Sequence, residues 1–321
     1  MNSFGNILRI TIYGESHGSE IGIIIDGCPA GIPLSTDDLI ADIERRKTGG
    51  YGSSTRTETD IPEIKSGLYK GHTSGTPIVI SFKNENVDSK CYNFGRHFRP
   101  GHADYTAYTK YNGYNNPNGG GQFSGRMTLP IVAAGCIARK IIPSVEISAA
   151  INKEYLDRLD NAIANDDSLG GIVECRIRNL EAGIGEPFFN SLESMLSHAM
   201  FSIPGAKAIE FGNGIASANM LGSEYNDCIT DAEGHTATNN CGGINGGISN
   251  GNEIIFRTFF HPTPSISKPQ KTFNFDTNQM EELKIDGRHD KCFAQRTPVV
   301  IEALAAITIA DLTLISKSAK L

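Results

Sequence analysis

The order of elements along this 321-residue chain predicts an α+β fold, a sandwich of sheets and helices, over a doubly wound parallel sheet. Three observations carry that expectation. Apolar runs at 21–25, 76–82, 170–178 and 253–260 read as strands, and they mix with helical segments without regular βαβ alternation. The longest apolar segment, 299–316, reads as a helix. No linker-like or low-complexity stretch marks a boundary, so residues 1–321 are read as a single domain.

The elements follow in order. The run Ile21 to Ile25 closes on Asp26-Gly27, a strand and then a turn. Ser35-Thr36-Asp37-Asp38 starts a helix with Ser35 as N-cap, and Leu39, Ile40 and Ile43 give its apolar face. That helix ends in Glu44-Arg45-Arg46-Lys47 before Gly49-Gly50, where cations also match the helix dipole. After the 76–82 strand, residues 83–128 are rich in Asn, Gly, Tyr and Pro with weak periodicity, a length of loop that is usually functional or disordered. Residues 129–142 form a buried helix stopped by Pro143. An amphipathic helix is expected at 154–164, and another at 190–201 capped by Asn190 or Ser191.

Composition excludes several function classes. A formal charge of −7, with no basic run interleaved with aromatics, argues against nucleic acid and membrane surfaces as partners. The first residues lack the basic and apolar stretches of a signal peptide, and no uninterrupted apolar run approaches the roughly 20 residues of a membrane span. The expected location is cytoplasmic. The seven cysteines (Cys28, Cys91, Cys136, Cys175, Cys228, Cys241, Cys292) are scattered, odd in number and without a C-x-x-C pair, as reduced thiols are. No metal-ligand spacing is visible, so no bound metal is expected. Glycine is abundant at 35 residues and clustered, which favours tight turns and close backbone approach to a ligand over general flexibility.

Three glycine-bracketed segments within the first 126 residues suggest one composite site. They are Gly14-Glu15-Ser16-His17-Gly18, Arg99-Pro100-Gly101-His102-Ala103-Asp104, and Gly119-Gly120-Gly121-Gln122-Phe123-Ser124-Gly125-Arg126. His17 in a glycine turn suits a general acid, although a backbone-bonded loop histidine fits as well. Ser16 beside it suggests a nucleophile, but no G-x-S-x-G elbow is present. Arg99 and His102 suit anion binding beside proton transfer; a plain turn with Asp104 paired to Arg99 is the simpler alternative. The third segment reads as an anion nest running into a helix, and it is neither a Walker A loop nor a dinucleotide fingerprint. Gly242-Gly243-Ile244-Asn245-Gly246-Gly247-Ile248-Ser249 is a further tight segment, equally a simple turn. His261-Pro262-Thr263-Pro264-Ser265 holds extended backbone, and Asp290 in Gly287-Arg288-His289-Asp290 is a base or a salt-bridge partner.

Taken together, GESHG at 14–18, DGCPAGIPL at 26–34, RPGHADYT at 99–106, GGG with Ser124 and Arg126, GGINGGISNG at 242–251 and GRHD with Cys292 resemble the chorismate synthase family over nearly the whole chain. The resemblance implies a β-α-β sandwich of antiparallel sheets around helices, usually a homotetramer. It implies an anti-1,4-elimination: 5-enolpyruvylshikimate 3-phosphate loses phosphate and its C6 proton to give chorismate, with reduced FMN required and no net redox change. It further implies that His17, His102, Asp290, Ser16 and Ser124 are catalytic, and that Arg45, Arg46, Arg99 and Arg126 bind the substrate. The implied flavin contacts are Gln122, Phe123, Ser124, Pro204, Gly205, Gly246, His261, Pro262, Thr263, Pro264, Ser265 and Arg288. Within the family, NADPH or a separate flavin reductase supplies the reduced cofactor, and the sequence does not choose between them.

Three departures stand out. Gln122-Phe123-Ser124 occupies the place of a common Arg-Ser-Ser, His261 that of a common lysine, and Gly52 falls near a common arginine that Arg56 could replace. A flavin oxidoreductase using the same pocket is the main alternative, and a flavin- or phosphometabolite-binding protein without catalysis is the next. No dinucleotide fingerprint supports the former, and His17, His102 and Asp290 are all present against the latter.

Overall fold

A computed structural model of the chain describes residues 1–47, 51–52, 59–85, 95–285 and 289–319. Gly49, Gly50, Arg56, Cys91, Gly287 and Arg288 lie outside these, so the readings made of them stay expectations.

Two antiparallel sheets enclose a double layer of helices. The first sheet joins β1 (Ser3–Phe4), β2 (Arg9–Gly14), β3 (Glu20–Asp26), β4 (Glu63–Ser66) and β7 (Ile78–Lys83) in the order β1-β2-β3-β7-β4. A small hairpin of β5 (Leu68–Tyr69) and β6 (His72–Thr73) precedes β7. The second sheet orders β8 (Glu146–Ile151), β9 (Gly171–Arg178), β10 (Ala206–Phe211) and β13 (Ile254–Phe260) as β10-β13-β9-β8. Strand periodicity decides which face is inward. Ile21, Ile23 and Ile25 are buried from β3, and Val173, Cys175 and Ile177 from β9 oppose Thr258, Phe256 and Ile254 of β13.

Between the sheets lie α1 (Asp37–Arg46), α3 (Thr128–Ile141), α5 (Leu192–Met200) and α7 (Pro298–Ala319). α3 packs on the first sheet and on α7, and α7 packs on α5 and on β8 and β9. The α3–α7 crossing is close because Gly135 faces Ala303; a Cβ at Gly135 would lie 2.3 Å from that of Ala303. α7 is apolar and long enough to cross a membrane by composition, but most of it is buried between the sheets as the central core helix. Buried residues of both sheets and the helices form one continuous cluster. From the buried end of α7, Asp311 accepts the backbone N–H groups of Asn6, Ile7 and Leu8, each at 2.8 Å, and so anchors the start of β2.

The structure departs from the expected elements in several places. The N-cap of α1 is Thr36, not Ser35; Asp38 instead reaches back to the Ser35 N–H at 2.8 Å. Ser191 does cap α5, accepting from Ser194 N–H at 3.1 Å. The 154–164 helix is a 3₁₀ turn followed by the short α4 (Leu159–Ala164). The described part of 83–128, residues 83–85 and 95–128, is largely irregular but contains α2 (Asp104–Lys110). The single turn α6 (Gly222–Tyr225) and the hairpins β11–β12 (Ile244–Asn245, Ile248–Ser249) and β14–β15 (Gln270–Asn274, Gln279–Leu283) complete the chain. Phe98 and Tyr105 pack on Phe275 beside the β14–β15 hairpin, with centroids 5.4 and 5.5 Å away, and this clasp fixes the Arg99–Asp104 segment.

Candidate active site

The end of α1 and the 99–106, 119–126, 201–207, 261–265 and 289–296 segments line a cavity of about 690 Å³. That is within the roughly 300–1,000 Å³ usual for a small-molecule site. The three glycine-bracketed segments meet here. Gly119, Gly120 and Gly121 form part of the wall or its backing with φ of 59°, 80° and 52°, which side-chain-bearing residues rarely adopt. The first segment lies directly behind them. Ser16 N–H donates to the Gly121 carbonyl at 3.2 Å, and the His17 ring packs on Gly119 so closely that a Cβ there would lie 2.3 Å from its Cδ2. His17 is thus behind the wall formed by Gly119, whereas His102 is on the lining.

Arg99 is buried and bidentate on Asp104, with Nε–Oδ2 at 2.7 Å and Nη2–Oδ1 at 2.8 Å, and Nη1 donates to Ser265 Oγ at 2.9 Å. The simpler reading of this segment holds, since Asp104 pairs with Arg99, and it also binds His102 Nδ1 at 2.7 Å. Burial pushes the Asp104 carboxyl up, but the hydrogen bonds and charges of Arg99 and His102 override it and hold it well below the usual carboxylate range. An ionised Asp104 favours the Nδ1–H tautomer, which leaves His102 Nε2 for the cavity side, near Gly120.

The opposite cluster is built on arginine. Arg46 Nε donates to Thr128 Oγ1 at 3.0 Å and Nη2 to the Gly125 carbonyl at 2.9 Å. Arg126 Nη1 donates to Asp60 Oδ1 at 2.9 Å, and Asp60 Oδ2 is 4.0 Å from Arg46 Nη1. Arg296 pairs with Asp290 at 2.9 Å. Burial, then the charges of Arg296 and Arg126, pull the Arg46 guanidinium down to about 9 against the opposing pull of Asp60 and Asp290. Three guanidinia thus share two carboxylates at one wall, an arrangement that an anion would relieve. Ser16 Oγ, Thr263 Oγ1 and His289 Nε2 are buried without a hydrogen-bond partner. Burial, then Arg99 and Lys291, lower the His289 pKa, which favours a neutral imidazole on the lining.

Most of the expected site residues converge. Arg46, Arg99, His102, Gln122, Phe123, Ser124, Arg126, Pro204, Gly205, His261, Thr263, Pro264, Ser265 and Asp290 all line the cavity. Pro262 does not, although its carbonyl binds His261 Nδ1 at 2.5 Å. Two expectations need correction. Arg45 lies away from the cavity, donating to both oxygens of Glu302 at 2.7 and 2.9 Å, because its position on α1 faces α7. Gly246 sits in the β11–β12 turn with φ of 61°, the simple-turn reading of that segment, and not on the lining. Sequence reasoning missed Asp60, His289 and Arg296. His289 and Arg296 flank Asp290 in sequence, a proximity that could have flagged them, whereas Asp60 carries no local signal.

The family model described as chorismate synthase matches residues 8–153 and 147–314. A chorismate synthase of Chitinophaga pinensis is 50% identical over 324 residues, covering 99% of this chain and 98% of the relative. That of Dehalococcoides mccartyi strain BAV1 is 40% identical, covering 98% and 96%. This chain belongs to the chorismate synthase family. A solved structure titled "Crystal Structure of Chorismate Synthase" superposes with a TM-score of 0.75 at 24% identity, covering 97% of this chain and 93% of the other, which shows the fold. Chorismate synthase is a carbon–oxygen lyase that eliminates phosphate from 5-enolpyruvylshikimate 3-phosphate on the route to aromatic amino acids. A substrate with a phosphate and two carboxylates matches in sign a wall where guanidinia outnumber carboxylates.

Proposed function

We propose that this cavity holds 5-enolpyruvylshikimate 3-phosphate against reduced FMN and carries out the chorismate synthase elimination. The observation that carries the assignment is the concentration of guanidinium charge at one wall: Arg46 and Arg126, both buried, and Arg296 meet around Asp60 and Asp290. The flavin fits this chain's residues in two respects. Among the described residues the Thr263 hydroxyl is a buried, unpartnered donor on the lining, and Gly120, also on the lining, presents bare backbone beside His102 and Ser124. Gln122, Phe123, Ser124, Pro204, Gly205, His261, Thr263, Pro264 and Ser265 would hold the cofactor, and Arg46, Arg99 and Arg126 the substrate.

When bound, reduced FMN supplies electron density that eases carbon–oxygen cleavage and a basic position for the C6 proton. The protein does the rest. His17, buttressed behind Gly119, protonates the departing phosphate. His102, set by Asp104, would offer Nε2 to negative charge on a bound cofactor. Asp290, with Ser16 and Ser124, carries the C6 proton out of the site. The chain acts as a single catalytic domain in the cytoplasm, assembled as a homotetramer, with NADPH or a separate reductase as the source of reducing equivalents.

The test is anaerobic. The protein is mixed with chemically reduced FMN and substrate, and chorismate and phosphate are followed. Equal amounts of both, with no net flavin oxidation, are expected. Flavin binding without product would overturn the assignment in favour of an oxidoreductase or a binding protein. A parallel run with oxidised FMN and NADPH decides the source of electrons.

A further inference from the structure

We infer that Asn84 is a positioning residue for the elimination, tying the loop that carries His17 to the guanidinium of Arg126. The inference rests on the proposed roles of those two residues. Asn84 immediately follows β7. Its Nδ2 donates to the carbonyls of Glu15 at 3.0 Å and Gly18 at 2.8 Å, which bracket His17 in the chain. Its Oδ1 accepts from Arg126 Nε at 2.6 Å, and its backbone N–H donates to the Ser19 carbonyl at 3.1 Å.

The amide can serve in only one orientation. Rotated by half a turn, Oδ1 would face two carbonyl oxygens and Nδ2 would face a guanidinium N–H. No other side chain of that length offers two donors on one side and an acceptor on the other. Aspartate keeps the acceptor and loses both donors; serine has a single donor and is shorter. Asn84 is not on the cavity lining, so it acts through its partners.

The loop needs such a strut. It connects β2 and β3, closed by the Gly14–Ile21 pair, and its ties include the Ser16 N–H to the Gly121 carbonyl, a local Gly18-to-Glu15 bond, and the Glu15 carboxylate held by Asn116 at 2.7 Å. The Ser16 hydroxyl, buried without a partner, adds none. Arg126 is separately anchored on Asp60. Asn84 therefore joins the loop of the proton donor directly to the anion-binding wall. A displacement of about 1 Å between reacting groups costs on the order of 100-fold in rate.

The experiment is a double-mutant cycle on the reduced-FMN enzyme, with kcat and substrate KM measured for the wild type, Asn84→Asp, His17→Ala and the double variant. Asn84→Asp retains the acceptor for Arg126 but adds a carboxylate to its wall, so KM should rise by about five-fold, while loss of both donors to the His17 loop should lower kcat by about 100-fold. In the His17→Ala background the same change should cost less than about two-fold, because the loop then has no acid to place. Multiplicative losses in kcat, or a loss confined to KM, would overturn the inference and leave the role of His17 standing. Unchanged kcat in His17→Ala alone would overturn the role of His17, and the inference with it. Asn84→Ser provides the same cycle if the aspartate variant does not fold; it should lose about ten-fold in kcat, with the same non-additivity.

Discussion

Arg45 and Arg46 are neighbours on one helix and belong to opposite kinds of charge cluster. Arg45 joins Arg139, Asp42 and Glu302: two cations and two anions, with Glu302 also accepting from Ala149 N–H at 2.9 Å. That cluster ties α1, α3, α7 and β8 together and leaves no net charge. Arg46 joins Arg126 and Arg296 against Asp60 and Asp290, one guanidinium in excess, on the wall of a cavity. Successive residues on a helix point roughly 100° apart, so one turns to a half-exposed ion-pair cluster against α7 and the other to the site. The comparison teaches that a buried arginine is read by its local charge balance. A balanced cluster is a strut, and one with surplus cation facing a cavity is a receptor.

The contrast can be broken most directly at Arg46. Arg46→Ala should lower kcat/KM by about 10²–10³-fold in steady-state assays while the thermal transition changes little; a loss under ten-fold would remove Arg46 from the receptor. Glu302→Gln strikes the strut. It should cost about 3–5 kcal/mol in denaturant unfolding, with activity per folded molecule unchanged. Were activity to fall in proportion at full folding, the two clusters would be one functional unit. Asp60→Asn sharpens the comparison. Asn tolerates the φ of 51° at this position, and the excess positive charge grows, so inorganic phosphate should bind about five-fold tighter by calorimetry at low salt. Weaker binding would mean that Asp60 orients Arg126 more than it offsets its charge.

The smallest effect concerns pH. Burial pushes the Asp42 carboxyl up, but Arg139 and Arg45 outweigh it and leave it below its ordinary value. A carboxylate depressed in the folded state contributes stability that is full above its unfolded value, about 3.9, and is lost as pH falls through the folded one. Asp42→Asn should therefore flatten the loss of stability below about pH 4 and leave its shape near neutrality unchanged. An unaltered acid limb would show that the strut is not titrating there.

Much of this could be read before the structure. The runs containing Ile23, Val173 and Phe256 announced strands because each must bury a face, and Ser191 announced a helix start through its hydroxyl. β8 was not legible, since Glu146, Ser148 and Ala150 lie on its exposed side and alanine carries little strand signal. The 154–164 helix was overcalled because its apolar spacing does not reveal a tightened first half. In the site, the glycine brackets marked where backbone must come close. Asp60 and Asn84 were invisible because their meaning lies in partners more than forty residues away.

The clasp of Asp311 on the amides of Asn6, Ile7 and Leu8 also bears on how the chain is made. Those amides leave the ribosome 303 to 305 residues ahead of their carboxylate. At about 5–20 residues per second they wait roughly 15 to 60 s for it. During that interval the edge formed by β1 and β2 lacks its anchor, and α3, which covers the sheet, lacks α7 on its other side. The nascent chain must therefore keep the apolar face of α3 that α7 will cover from aggregating until nearly its last residues arrive.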